Sequence, residues 1–225
     1  IQQLLFGQLC NPLDPRSAVA YSSASKELRE LMQRVDEGAG KSLLQQLKEE
    51  NAAAAALGLK WGLLSCKALR EAKDIGWFQN GLSTTDLATL GKLTPVLTAV
   101  ATLRLVEPPH SAGPDGRQLV ERLGEGALPA VTSFSLHSVF MGDAGASALA
   151  AALDRGALPR LKHLYLCSAA IGDAGLLALT PALRRRPALE VLGLSGNPFG
   201  DQALAALVAP PPADAPPPQA ELLAE

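Results

Sequence analysis

The segment from Leu158 to Leu183, LPRLKHLYLCSAAIGDAGLLALTPAL, constrains the whole chain because it recurs. Leu161, Leu164 and Leu166 form an L-x-x-L-x-L frame. Ile171 follows, then Gly172-Asp173-Ala174-Gly175, then an apolar stretch closing at Leu183. The first half alternates with period two, as a strand does, and the second half has helical period. Such a unit cannot bury its apolar side alone, so it predicts neighbours of its own kind. Leu128 to Leu153, LPAVTSFSLHSVFMGDAGASALAAAL, repeats the pattern with Val131, Phe134, Leu136 and Met141. Pro187 to Leu207, PALEVLGLSGNPFGDQALAAL, repeats it with Leu189, Leu192, Leu194 and Phe199. Upstream, Val100, Leu103 and Leu105 carry the frame through a looser loop, EPPHSAGPDG, after which Leu119 and Leu123 return to register. The first frame position, at Val100, Val131, Leu161 and Leu189, therefore recurs at intervals of 31, 30 and 28 residues.

Four matched frames at this period, with a helix in each unit, resemble the leucine-rich repeat in its ribonuclease-inhibitor-like subtype. The resemblance implies an α/β fold: a short right-handed solenoid with parallel strands inside and helices outside. The frame leucines then point inward, and the positions between them face out along a concave sheet. In register these are Thr102, Arg104 and Val106; Ser133, Ser135 and His137; His163, Tyr165 and Cys167; and Val191, Gly193 and Ser195. The central column reads Arg104, Ser135, Tyr165, Gly193. Arg104, Ser133, Ser135, His137, His163, Tyr165 and Ser195 are the expected partner-binding residues, a mixed polar surface suited to a protein or peptide.

Residues 1–80 read as helical. Leu4, Leu5, Phe6 and Leu9 form an apolar face, and Asn11-Pro12-Leu13-Asp14-Pro15 breaks it. Asp14 and Ser25 are placed to cap the next two helices, the first with Pro15 at its opening position. This stretch, with its Leu13-Asp14-Pro15-Arg16 turn and Leu28-Arg29-Glu30-Leu31, resembles the later part of an F-box. An F-box joined to such repeats implies the substrate receptor of an SCF-type ubiquitin ligase. Leu5, Phe6, Leu9, Leu13 and Pro15 would then contact a Skp-type adaptor. The alternative is a scaffold subunit whose helical region only caps the solenoid. A helix is expected from Ser42 to about Ala56 and another from Lys60 to Lys73. Trp61, Trp77 and Phe78 are expected to fill the core at the junction. The first repeat, LSTTDLATLGKL, reads as a helix capped by Ser83 or Thr84 with no clean strand before it. Repeats occupy 81–209. The tail 210–225 carries two Pro-Pro-Pro runs, which enforce extended structure and read as a linker or a PxxP ligand.

Hydrophobic residues make up 48% of the chain but aromatics only 4%, so the apolar content is mostly leucine and alanine, as stacked repeats require. A net charge of −2 gives no electrostatic reason to bind nucleic acid. No apolar run reaches the roughly 20 residues of a membrane span. The odd cysteine count, 3, scattered as Cys10, Cys66 and Cys167, argues against a disulfide framework and favours the cytoplasm or nucleus. With Ile1 rather than Met at its start, a fragment or processed form is expected, and an organelle is left open.

No catalytic motif emerges, and neither enzymatic activity, cofactor nor metal is expected. Gly38-Ala39-Gly40-Lys41-Ser42 lacks the leading Gly of a phosphate loop, since Val35 stands there, and it reads as a helix–helix turn. His137 and His163 are expected near one another across adjacent strands. With Cys167 they have no local ligand spacing, so solvated histidines and an inert thiol are the reading. The position where this repeat family carries Asn is Asn197 once, but Ala169 and Val139 in the preceding units. Each Gly-Asp pair reads as the cap of the helix that follows it. Arg184-Arg185-Arg186 reads as a cationic helix end, with a basic binding patch as the alternative.

Overall fold

The computed structural model describes residues 33, 35–36, 41–63, 65–78, 81–108 and 113–209. The F-box-like positions Leu5, Phe6, Leu9, Leu13 and Pro15, and the tail 210–225, lie outside them. The described chain is mixed α/β, with one sheet of five parallel strands and seven helices. A two-stranded antiparallel pair, β1 (Val35–Asp36) and β2 (Lys41–Ser42), leads into α1 (Leu43–Lys60) and α2 (Cys66–Glu71). Strand and helix then alternate: β3 (Asp74–Phe78), α3 (Thr84–Leu93), β4 (Thr102–Val106), α4 (Arg117–Val120), β5 (Ser133–His137), α5 (Gly142–Asp154), β6 (His163–Tyr165), α6 (Asp173–Arg184), β7 (Val191–Gly193) and α7 (Asp201–Val208). Strands β3 to β7 pair in chain order.

The register follows the repeat. Leu103 lies opposite Phe134, Phe134 opposite Leu164, and Leu164 opposite Leu192. Leu103, Leu105, Phe134, Leu136, Leu164 and Leu166 are completely buried. Each removes apolar area from water only because an adjacent strand stands in step, and full burial of such a side chain contributes roughly 1.5–3 kcal/mol. The helices complete the interior with Leu87, Leu90, Leu119, Leu149, Leu176 and Leu179. The turns repeat as well. Ser138 and Ser168, with φ of 55° and 52°, and Gly196, at 74°, sit at the matching place after successive strands. The left-handed serines are held by their N–H groups, which donate to the Cys167 and Ser195 carbonyls of the next unit.

The region before residue 81 is not all helical. β3 opens the sheet at Asp74, with Ile75 and Trp77 inward and Asp74, Gly76 and Phe78 outward. Period-two alternation was present, but over five residues it rests on two inward side chains, one of them a tryptophan that also suits a junction. Phe78, expected in the core, is 54% exposed. Trp61 is half-buried and meets Trp77 edge-on at 6.3 Å. The expected helix from Lys60 is shorter and later, because α1 runs through Gly58 to Lys60 and Ser65 caps α2. Lys41-Ser42 belongs to a short antiparallel pair rather than a helix–helix turn, and Ser42 caps α1 in a reciprocal box with Gln45.

Ser83, not Thr84, caps α3, and Asp86 completes the box by accepting from the Ser83 N–H. Both Asp86 carboxylate oxygens also accept from Lys60 Nζ at 2.8 Å, which ties α1 to α3. Burial pushes the Asp86 carboxyl up, but the hydrogen bonds from Lys60 and Ser83 outweigh burial and hold it below the ordinary aspartate range. Glu107, 3% exposed, accepts from Trp77 Nε1 at 3.1 Å and from the Leu82 N–H at 2.8 Å. This carboxylate joins the end of β4 to β3 and to the chain entering α3.

Two outcomes test this architecture. Leu164→Asp places an unpaired charge between stacked strands and is expected to cost more than about 4 kcal/mol in chemical denaturation. Because the folded Asp86 has a depressed pKa, its contribution is complete above the unfolded value of about 3.9 and is lost as pH falls through the folded value. The stability gap between wild type and Asp86→Asn should therefore be open at neutral pH and close below about pH 4.

Candidate functional site

The alternation that buries the frame leucines turns the intervening side chains to the opposite face of the sheet. Thr102, Ser133, His163 and Val191 form one column across β4 to β7, and Arg104, Ser135, Tyr165 and Gly193 form the next. β3 extends them with Asp74 and Gly76. A third column holds Phe78, Val106 and His137. Cys167 and Ser195 follow the ends of β6 and β7. The partner-binding residues expected within the repeats therefore lie on or at the margin of this face. The extra strand adds Asp74, Gly76 and Phe78, whose signal was the alternation around Ile75 and Trp77.

The side chains there differ in how they are held. Arg104 is exposed, and among the described residues its guanidinium has no hydrogen bond or ion pair. Ser133 and Ser135 are half-buried. The Tyr165 ring lies over Gly193, where an added Cβ would sit 2.6 Å from Cδ1. The Phe78 ring likewise lies back over Gly76, at 2.8 Å from such a Cβ. The two glycines thus leave room for two rings to lie down on the sheet. His137 Nδ1 is 3.1 Å from Ser138 Oγ. At the other margin Lys162 donates to Glu190 at 2.7 Å and holds its carboxyl below the usual range, while His163 Nε2 lies 3.6 Å from the same carboxylate.

His137 and His163 are not neighbours. His163 pairs with Ser133, at the opposite end of β5 from His137. Four residues of strand, about 13 Å, lie between their levels. His137 follows the frame leucine Leu136, whereas His163 precedes Leu164, so the two sit at opposite ends of their strands. No group of three or more His, Cys, Asp or Glu suited to a metal occurs among the described residues. Cys167 is a free, half-buried thiol.

Comparison with known proteins gives a short answer. No protein-family model matches the chain, and no curated protein matches it. The chemistry of the face is thus read from its own residues. No helix among the described residues is long and apolar enough to cross a membrane.

The remaining motifs are engaged in joining units. The Asp143 carboxylate accepts from the Gly172 and Gly175 N–H groups, at 2.7 and 3.0 Å, and Asp173 accepts from Gly200 N–H at 2.6 Å. Each aspartate therefore caps the next unit's helix rather than its own, because it already lies in its own first turn. Asn197 accepts from the Ala169 and Ile171 N–H groups and donates to the Leu166 and Leu194 carbonyls. Arg186 donates to the Leu153, Ala157 and Leu158 carbonyls and Arg185 to Asp154. Arg184 reaches the Ala206, Leu207 and Ala209 carbonyls. The arginine run is consequently a set of inter-unit clamps. A cavity of 360 Å³ lies between α1 and α3, lined in part by Gln46, Glu49, Thr89 and Lys92. Lys92 there already faces Glu50 at 3.4 Å.

Stability measurements separate the open face from its support. Arg104→Ala and Ser135→Ala should each change unfolding free energy by less than about 0.5 kcal/mol. Glu107→Ala, which orphans two buried donors, should cost about 2–4 kcal/mol in the same assay.

Proposed function

We propose that this chain is a short leucine-rich-repeat solenoid that binds a protein partner across its concave strand face. The observation that carries the reading is the in-register outward column Gly76, Arg104, Ser135, Tyr165, Gly193. It runs across five strands whose other side is closed by apolar side chains, fully or nearly fully buried on all but the last strand. Such a face offers a cation, a phenol and a hydroxyl on a rigid backing, while the helices and inter-unit clamps hold that backing in place. Preorganised aromatic and arginine side chains are the usual carriers of binding energy in protein interfaces. The Trp61, Trp77 and Glu107 cluster supports a complementary role for the preceding region: it closes the first edge of the repeats.

The further step, to a substrate receptor of an SCF-type ubiquitin ligase, rests on the sequence resemblance at Leu5, Phe6, Leu9, Leu13 and Pro15 alone. Failure of a Skp-type adaptor to co-precipitate with a chain containing the complete N-terminal region would leave the scaffold role in its place.

Affinity capture from cells, with wild type and a Tyr165→Ala/Arg104→Ala double variant compared at equal folded concentration, tests the docking face. Proteins retained by wild type should fall at least about tenfold with the variant. Undiminished capture would assign recognition to the helices instead.

A further inference from the structure

Building on that docking face, we infer that its centre receives an acidic peptide segment of the partner, with an Asp or Glu carboxylate held by Arg104 and the Ser135 hydroxyl. Arg104 and Ser135 are directly opposed on β4 and β5. Neither side chain has a hydrogen-bond partner among the described residues. Arg122 and Arg160 are exposed as well, but neither lies on a strand of the sheet, and the remaining described arginines after Arg104 are engaged. Arg117 is closed on Asp115, Arg155 on the Leu123 carbonyl, Arg185 on Asp154, and Arg186 on three carbonyls. Arg104 is also the one cation among the outward positions of the five strands. The carboxylates nearest this centre are already accounted for or stand aside. Glu107 is buried against Trp77, Glu190 is paired with Lys162, and Asp74 occupies the neighbouring column at the β3 edge.

The flanks set the chemistry of the rest of the segment. Phe78 lies on Gly76 to one side of Arg104, and Tyr165 lies on Gly193 to the far side of Ser135. With strands about 4.8 Å apart, the trough between Gly76 and Gly193 spans about 19 Å. That is the reach of roughly six extended residues. A carboxylate at its middle would be bounded by apolar or aromatic side chains on the two rings. A guanidinium matches a carboxylate by two parallel N–H donors, and the serine hydroxyl supplies a third. One cation is too few for a nucleic-acid backbone, whose binding draws on several phosphate contacts.

Selection of random twelve-residue peptides, displayed by their C-terminal ends so that no free carboxyl terminus is offered, tests this on the whole 225-residue chain. Wild type should enrich peptides with a central Asp or Glu flanked by aromatic or aliphatic residues. The best of these should lose at least about tenfold in affinity on Arg104→Gln and weaken with added salt. Arg104→Glu, shown folded by circular dichroism, should drop those peptides and enrich Lys or Arg. Peptides without an acid that are lost on Tyr165→Ala would overturn the acidic segment while leaving the docking face standing. Selection indifferent to both Arg104 and Tyr165 would overturn both readings. Failure of wild type to select any peptide would overturn the acidic segment.

Discussion

The interaction on which everything else depends is the stacking of one inward leucine row on the next. Leu164 has no interior of its own. It is dry because Phe134 and Leu192 stand beside it on the neighbouring strands. A parallel strand also has half its backbone donors and acceptors on each edge, so it needs a neighbour on both sides to satisfy them. Apolar burial and backbone pairing thus demand the same register. A slip of one residue would put leucine on the open face and arginine in the core.

Polar side chains reinforce that demand rather than compete with it. Asp143, Asp173, Asn197, Arg155 and Arg186 each bond to backbone groups of an adjacent unit, where helix and turn ends would otherwise lack partners. Gly175 belongs to the same device. A Cβ there would lie 2.6 Å from the Asp143 carboxylate, so glycine lets the aspartate reach the next helix end. Arg186 is partly buried among carbonyls, and burial lowers its pKa somewhat, yet a guanidinium remains charged. The hydrogen bonds therefore run along the stack, from unit to unit.

This arrangement separates the supporting face of the sheet from its open one. The inward face, the helices and the clamps fix the backbone of five strands, and the outward positions are left to vary without cost to the core. Arg104, Ser135 and Tyr165 occupy such positions. All three face outward from the strands, and none of their side chains makes a hydrogen bond among the described residues.

Much of this was legible in the chain. Recurrence of Val131, Phe134 and Leu136 as Leu161, Leu164 and Leu166 determined strand, helix, spacing and the outward column, because a period-two frame admits one inward set. Capping of α3 at its Ser83-Asp86 end was likewise within reach of local chemistry, although Ser83 and Thr84 were equal candidates. Tertiary structure alone decided the rest. β3 became a strand because β4 offered it a partner. Phe78 turned out to the surface because Ile75 and Trp77 took the inward places. The aspartates and arginines cap neighbours rather than themselves, and the two histidines lie far apart. These outcomes depend on distances between units about 30 residues apart, which spacing along one chain does not contain.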